Sequence, residues 1–315
     1  MKNILNIGEP MGLFVANEVG DASEIENFTR YSAGAEMNVA IGVSRLGLNS
    51  FYASAIGNDP MGRYIEKVLQ REKVHTNYLL VSETELTGFM LKEKTLQGDP
   101  KVYYYRKGSA ASKLSVDDIK EMDITKFDHI HFSGVYLAVS EQSREVSYYL
   151  AKKAKEHKIF TTFDPNLRPR LWKSEKDMID TTNDFAKFAS LVLPGISEGK
   201  ILMGSEDPEK IADFYINNGA NCVIIKLGAE GAYFKEKSGP SQIVKGFKVE
   251  NIVDTVGAGD GFAVGIIYGL VNNFDMVKTV QCGNAIGAIQ LGSASDNEGL
   301  PTVKELQNFM DKGLV

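Results

Sequence analysis

The sequence predicts an α/β fold in which a central, mostly parallel sheet is sandwiched by helices and a small second β-sheet forms a lid. Three observations carry that expectation. Short apolar runs alternate with amphipathic stretches along most of the 315 residues, the pattern of strand-helix-strand units that pair in parallel and cover both sheet faces with helices. Two stretches, 12–32 and 87–109, break the alternation with extended, aromatic-rich character. No internal repeat or low-complexity linker divides the chain, so one domain over residues 1–315 with two strand insertions is expected.

Taken in order, strands are predicted at Asn3 to Ile7, Ser50 to Ile56, His129 to Ser133, Ile159 to Phe163, Leu191 to Leu193 and Cys222 to Lys226, each a short apolar run. Between them, apolar residues at helical spacing predict helices at Asn38 to Leu46, Met61 to Glu72, Gln142 to Glu156, Met178 to Phe188 and Glu209 to Asn217. The insertions, with Val102-Tyr-Tyr-Tyr-Arg in the second, read as extended strands and hairpins over the active site. Such strands leave sheet edges exposed, and pairing with a second copy in a homo-oligomer would cover them.

Composition narrows the class of partner. Hydrophobic residues at 43% and charged residues at 24% exclude disorder and a disulfide scaffold. The net charge of -6 comes with no basic block, which argues against nucleic acid. Cys222 and Cys282 stand far apart and outside any metal-ligand spacing, so they read as buried thiols of a reducing compartment. No apolar run reaches the roughly 20 residues of a membrane span, and the start is too soon interrupted for a signal peptide, so a cytoplasmic protein is expected.

The most informative segment is Asn251-Ile-Val-Asp-Thr-Val-Gly-Ala-Gly-Asp, which opens into a long apolar helix. Gly257 and Gly259 let the backbone turn tightly, and the free N–H groups at the helix start can face an anion. Asp260 lies in the first helical turn, where a carboxylate can accept a hydroxyl proton. The competing reading makes Asp260 a simple helix cap. Phe262 stands where a dinucleotide fingerprint needs its third glycine, and no Walker-type loop occurs. An anion hole carrying its own carboxylate suits phosphoryl transfer to an alcohol.

The run from Asp254 to Asp260, with the following Gly-Phe-Ala-Val-Gly, resembles the C-terminal signature of the ribokinase-like (PfkB-type) carbohydrate kinases. Ala33-Gly-Ala-Glu-Met-Asn-Val-Ala, then Arg45-Leu-Gly and Gly57-Asn-Asp-Pro-Met-Gly, resembles the N-terminal signature, and the resemblance spans essentially the whole chain. It implies a ribokinase-like fold and an ATP-dependent sugar kinase with Asp260 as base, an anion hole of Gly257, Ala258 and Gly259, and sugar contacts from Gly34, Ala35 and Asn38. Glu36 departs from the small residue or proline of many members, although a Gly-Ala-Glu-x-Asn variant is familiar among sugar-acid kinases. By themselves, Gly34 and Asn38 read equally well as a loop and a helix cap.

Cys222 to Lys226 ends in a turn with Gly228 and Gly231, and ligands lie at strand C-termini of open α/β sheets. The resemblance implies ATP there, with Asn166, Lys226, Gly228, Gly231, Gly257, Gly259 and Asn284 around it. An ordinary strand-to-hairpin turn is the competing reading of Lys-Leu-Gly. Phosphoryl transfer implies Mg²⁺ bridging the phosphates. Where family members often show Asn-x-x-Glu, this chain has Pro194-Gly-Ile-Ser-Glu, which keeps Glu198 as an indirect metal partner and replaces the asparagine with Gly195. A monovalent cation near Asp254 and Thr255 is a further candidate group that the sequence leaves open.

Tyr103-Tyr-Tyr-Arg-Lys-Gly-Ser closely resembles 2-keto-3-deoxygluconate kinases. Carried across, Tyr104 and Arg106 hold the sugar acid, Arg168 is a second cation and Asp296 a hydroxyl partner. Arginine grips carboxylate through a two-pronged fork that a neutral sugar cannot use fully. Arg106 as an interface residue, and Arg168 or Arg170 bridging surface acids, are the alternatives. Met90 stands where those kinases commonly carry a tyrosine, which leaves fructose or another ketose as a second substrate class. A non-catalytic sugar or nucleotide sensor on the same scaffold is the competing function, and the intact Asp260 favours the enzyme. His129 and His131 alternate on one strand with no third ligand, which reads as core packing.

Overall fold

The computed structural model describes residues 2–96, 100–249, 251–293 and 295–313. Residues 97–99 of the second predicted insertion lie outside them. The strands are β1 (Asn3–Ile7), β2 (Met11–Val19), β3 (Phe28–Ala33), β4 (Asn49–Gly57), β5 (His75–Ser82), β6 (Phe89–Lys94), β7 (Val102–Tyr105), β8 (His129–Ser133), β9 (Phe160–Asp164), β10 (Leu191–Val192), β11 (Cys222–Lys226), β12 (Ala232–Glu236) and β13 (Ser241–Val244). Nine of them form one sheet in the order β13-β12-β11-β10-β9-β8-β1-β4-β5. From β11 to β5 the pairing is parallel, and β12 and β13 close one edge antiparallel.

Period-two alternation explains why helices cover both faces. On β1, Leu5 and Ile7 enter one core with Phe132, Leu150 and Phe163, while Ile4 enters the other with Met37, Tyr52, Ile224 and Val264. The helix Ala258–Val271 packs so closely on the helix Met276–Gln290 that a Cβ at Gly265 would sit 2.4 Å from the backbone of Cys282. His129 and His131 both meet the Thr162 hydroxyl at 2.9 Å inside the sheet, and burial pushes each imidazole down to about 3. They are neutral core residues. The thiols of Cys222 and Cys282 are free and buried, pushed by burial up to about 12 and about 11.

The remaining four strands form a separate small sheet in the order β3-β2-β6-β7, with β2 and β6 parallel and the outer pairs antiparallel. Register aligns Leu13, Met90 and Tyr104 across three strands, so they share a face, as do Phe14, Leu91 and Tyr103 on the other. In the large sheet the strand order reverses between β1 and β8, and ligand crevices form beyond strand C-termini at such a switch. The chain leaves β1 into Glu9, β9 ends at Asp164 and β11 at Lys226. Those three ends position the site.

Candidate active site

Gly257 takes a left-handed φ of 81° and caps the helix Ala258–Val271. A Cβ there would stand 2.6 Å from the carbonyl oxygen of Asp296, so only glycine lets the turn lie against residues 295–297. The amides of Ala258, Gly259 and Asp260 precede the first intrahelical bond, which runs from Gly261 N–H to Gly257 O at 2.8 Å. They are free to face an anion.

Asp260 is buried behind this turn. Asn38 Nδ2 donates to its Oδ2 at 2.8 Å and Asn166 Nδ2 to its Oδ1 at 3.3 Å. Burial pushes the carboxyl up to about 7, opposed by the Asn38 amide; nearby Asp164 raises it further and the Arg168 cation lowers it. A carboxylate poised near neutrality in a dry site is matched to taking a hydroxyl proton. Asn38 is fixed in turn by Asn297, whose Nδ2 donates to Asn38 Oδ1 and to Ser32 O, each at 3.0 Å. Gly34, at φ 131°, packs so that a Cβ would meet Glu9 O at 2.5 Å, and Ala35 begins the helix Ala35–Arg45 that carries Asn38.

Asn166, expected at the nucleotide, donates to the Asp260 carboxylate from a left-handed conformation (φ 37°) that asparagine tolerates. Lys226 Nζ contacts both oxygens of Asp164 at 2.8 Å, and its ammonium lies 3.9 Å from the point a Cβ on Gly259 would occupy. The lysine is therefore beside the anion hole, held by an acid that the sequence reading missed. Gly228 and Gly231 follow β11 at positive φ of 63° and 101°. Asn284 donates to the carbonyls of Val244 and Lys245 at 3.0 and 3.1 Å, so its amide hydrogens fasten the helix Met276–Gln290 to the end of β13.

Glu198 is occupied by backbone: Oε2 accepts Gly195 N–H at 2.6 Å and Oε1 accepts Leu167 N–H at 2.8 Å. Its place as an indirect metal partner is thus that of a helix-capping carboxylate next to the site. Among the described residues no three acidic, histidine or cysteine side chains gather at metal-binding spacing. The donor set fits an ion held by phosphates and water, with protein carboxylates behind them.

Arg106 is 9% exposed and ion-paired with Glu9, which is 1% exposed; its Nε donates to Glu9 Oε2 at 2.7 Å. Glu9 also accepts the Ser109 hydroxyl. The guanidinium is therefore occupied by Glu9 along its Nε–Nη2 edge rather than presented as an open fork. Tyr104 is 47% exposed, with Arg106 6.0 Å from its ring centre. Arg168 is exposed beside the Leu167 carbonyl, and its charge acts on both Asp260 and Asp296. Asp296 is buried and pushed up to about 6 by that burial. Glu36 lies over Gly8, buried and with Oε1 unpartnered, and burial pushes it up to about 7. Asp254 does not face open solvent: the ammonium of Lys92 on β6 holds its carboxylate.

Sequence reasoning missed Glu9, Asp164, Lys92 and Asn297. Asp164 was within reach, as the acid that ends a strand in Asp-Pro-Asn-x-Arg. Glu9 and Lys92 gave no local signal, because each is defined by a partner about 100 to 160 residues away.

Comparison with known proteins gives concordant results. A model described as pfkB family carbohydrate kinase matches residues 1–303. The chain is 42% identical over 308 residues to a 2-dehydro-3-deoxygluconokinase of Bacillus subtilis (strain 168), covering 97% of this chain and 94% of that one. The crystal structure of a PfkB protein from Polaromonas sp. JS666 is 41% identical, with a TM-score of 0.90 and coverage of 98% and 99%. A double mutant of the fructokinase from Vibrio cholerae O395, in a form bound to fructose, ADP and potassium ion, is 25% identical, with a TM-score of 0.86 and 98% of each chain covered.

The buried Asp260 carboxyl makes a prediction about pH. Its folded pKa of about 7 lies above the roughly 3.9 of an unfolded aspartate, so its contribution to stability is present below about pH 4 and lost as pH rises through 7. Across that interval the slope is about 1.4 kcal/mol per pH unit. Asp260→Asn should therefore gain stability relative to the parent between pH 5 and pH 7.5 in thermal melts, since the neutral histidines are common to both proteins. A gap that stays constant between those pH values would refute the shift.

Proposed function

The chain belongs to the pfkB family of carbohydrate kinases, and from that membership we propose that it transfers the γ-phosphoryl group of ATP to the primary hydroxyl of 2-keto-3-deoxygluconate. The observation that carries the reading is Asp260, a carboxylate near neutral pKa at the head of an anion-binding helix, held by Asn38 and Asn166. The 42% identity to a 2-dehydro-3-deoxygluconokinase, the same sugar acid under another name, supports the substrate.

In the proposed reaction Asp260 takes the hydroxyl proton while the alkoxide oxygen forms its bond to the γ-phosphorus. The bond from that phosphorus to the β–γ bridging oxygen breaks and ADP departs. The N–H groups of Gly257, Ala258 and Gly259 face the charge that develops on the transferred group. Lys226, 3.9 Å from a Cβ position on Gly259, adds a cation there, and Gly228, Gly231 and Asn284 border the nucleotide. Mg²⁺ would neutralise phosphate oxygens when bound, held by phosphates and water, with the already partnered carboxylates of Asp164 and Glu198 contributing charge nearby.

On the sugar side, Gly34, Ala35, Asn38 and Asp296 meet hydroxyls, while Arg106, Arg168 and Tyr104 take the carboxylate. The grouping of the Arg106 guanidinium with Tyr104, whose ring centre lies 6.0 Å away, supports that role. The exposed tyrosines of β7, with Tyr105 at 52% and stacked on Phe89, support pairing of the small sheet between two copies.

Three measurements check these proposals. A coupled ATP-consumption assay over sugar acids and hexoses should give ADP with 2-keto-3-deoxygluconate foremost, and Asp260→Asn should lower turnover by about 10² to 10⁴ while keeping ATP binding. ADP from no sugar would favour the sensor.

Arg106→Ala alone strands Glu9 as a buried charge, which destabilises by about 3 to 5 kcal/mol, so the substitution is best made with Glu9→Gln. That double variant should lose about thirtyfold or more in catalytic efficiency toward the sugar acid and little toward fructose. Equal losses would reassign Arg106 to the transferred phosphate. Light scattering at micromolar concentration should find a dimer, and a strict monomer rejects the pairing of small sheets.

A further inference from the structure

One buried ion pair has no part in the chemistry above. Lys92 lies on β6 two residues beyond Met90, so its side chain leaves the same face of the small sheet, and it is only 5% exposed. Its ammonium reaches out of that sheet to the carboxylate of Asp254, itself 14% exposed. Asp254 begins the turn that becomes the anion hole. Its Oδ1 accepts the Val256 N–H at 3.1 Å, and the N–H groups of Val253 and Asp254 both donate to Leu291 O, at 2.8 and 3.3 Å.

The second segment framing the anion hole is acidic too. Asp296 is buried, its carbonyl backs Gly257, and its carboxyl feels both charges: Lys92 lowers its pKa and Asp254 raises it. One ammonium thus balances two carboxylates on the two segments against which the turn 257–260 rests. A lysine buried this far forfeits hydration and the freedom of a long stem, and holding the turn alone would need only an asparagine at position 254. What the lysine adds is a positive charge.

That position is where the sequence leaves a monovalent cation open, near Asp254 and Thr255. The residues present do not fit one. Both Asp254 oxygens are engaged, Oδ2 by the Lys92 ammonium and Oδ1 by the Val256 N–H, and a second cation at that carboxylate would meet the ammonium's repulsion. We propose that Lys92 is an internal monovalent cation: a positioning residue, carried by the small sheet, that neutralises Asp254 and Asp296 and sets the anion-hole turn, so that phosphoryl transfer needs no alkali ion. Because Lys92 leaves the same face of β6 as Met90, which packs with Met11, Leu13 and Ala33, packing of the small sheet and alignment of the anion hole are linked.

The proposal rests on the kinase reading of the turn for its activity measurement, whereas its melting measurement does not. A cavity of about 520 Å³ lined by Asn17, Tyr31, Lys92, Asp254 and Thr255 opens beside the pair and gives small ions a way in. The parent protein should turn over at the same rate, within about twofold, in sodium, potassium and choline buffers. Lys92→Met, which keeps the stem and removes the charge, should lose about tenfold or more in kcat. Potassium or ammonium should restore several-fold of that loss and choline none. In melts, potassium should raise the midpoint of Lys92→Met and leave the parent unchanged, while Lys92→Arg should retain activity and indifference to cations.

Potassium activation of the parent by fivefold over choline, or a folded Lys92→Met whose rate is unchanged or whose loss no small cation repairs, overturns the proposal. If Lys92→Met does not fold, the double variant Lys92→Met with Asp254→Asn removes both charges at once. Its kcat should fall about tenfold without cation rescue, and parental turnover in it overturns the proposal. If no sugar yields ADP in any buffer, the kinase reading fails, and a potassium-dependent midpoint confined to Lys92→Met still supports the cation role.

Discussion

The architecture of the site depends on burying one carboxylate at the head of a helix. Asp260 gains from the partial positive charge there, yet removal from water opposes its ionisation, and the balance leaves its pKa near 7. Holding such a group requires neutral donors rather than a cation in direct contact, which would drive its pKa down and weaken it as a base. Asn38 and Asn166 are those donors, one from the start of the chain and one from its middle. Sequence-distant segments must therefore converge on the helix Ala258–Val271, and the order reversal between β1 and β8 opens the space in which they do.

Around this carboxylate the cations are paired in advance. Arg106 rests on Glu9, Lys226 on Asp164 and Lys92 on Asp254. Each acid belongs to an element other than that of its base, so the pairs tie the small sheet to the large one and the strand ends to each other. An unpaired buried cation would destabilise the fold by several kcal/mol. A paired one keeps its charge in place without that penalty. Prior pairing also fixes orientation, so little reorganisation is needed when charge develops in the transition state.

The layers of the fold were legible because alternation and amphipathic spacing are local. β1, β8 and β11 fall at the predicted residues, and the flanking helices begin within three residues of their expected starts. β10 is shorter than expected because Pro194, which has no N–H to donate, follows Leu193 closely. β5 went unpredicted because an edge strand with polar residues on both faces lacks a clean alternation. In the site, glycines and Asp260 announced themselves through a continuous motif. The partners that tune them did not: Glu9 and Lys92 become meaningful only when the chain has folded, and the Asp-Pro-Asn motif gives no sign that Asn166 reaches Asp260, 94 residues away.

Those partners also bear on how the proposed site would separate an acid from a neutral sugar. Shape alone is a weak discriminator at Met90, whose thioether adapts to many surfaces and offers no hydroxyl to a ligand. Charge is stronger. Asp260 and Asp296 are both buried, Asp296 raising the pKa of Asp260 and the Arg168 cation lowering both. In the proposed complex a carboxylate between Arg106 and Arg168 would meet the two cations, and the sugar hydroxyls would meet the acids. Selectivity then follows from which buried polar groups remain unpaired in the wrong complex, a penalty that an added or missing methylene cannot match.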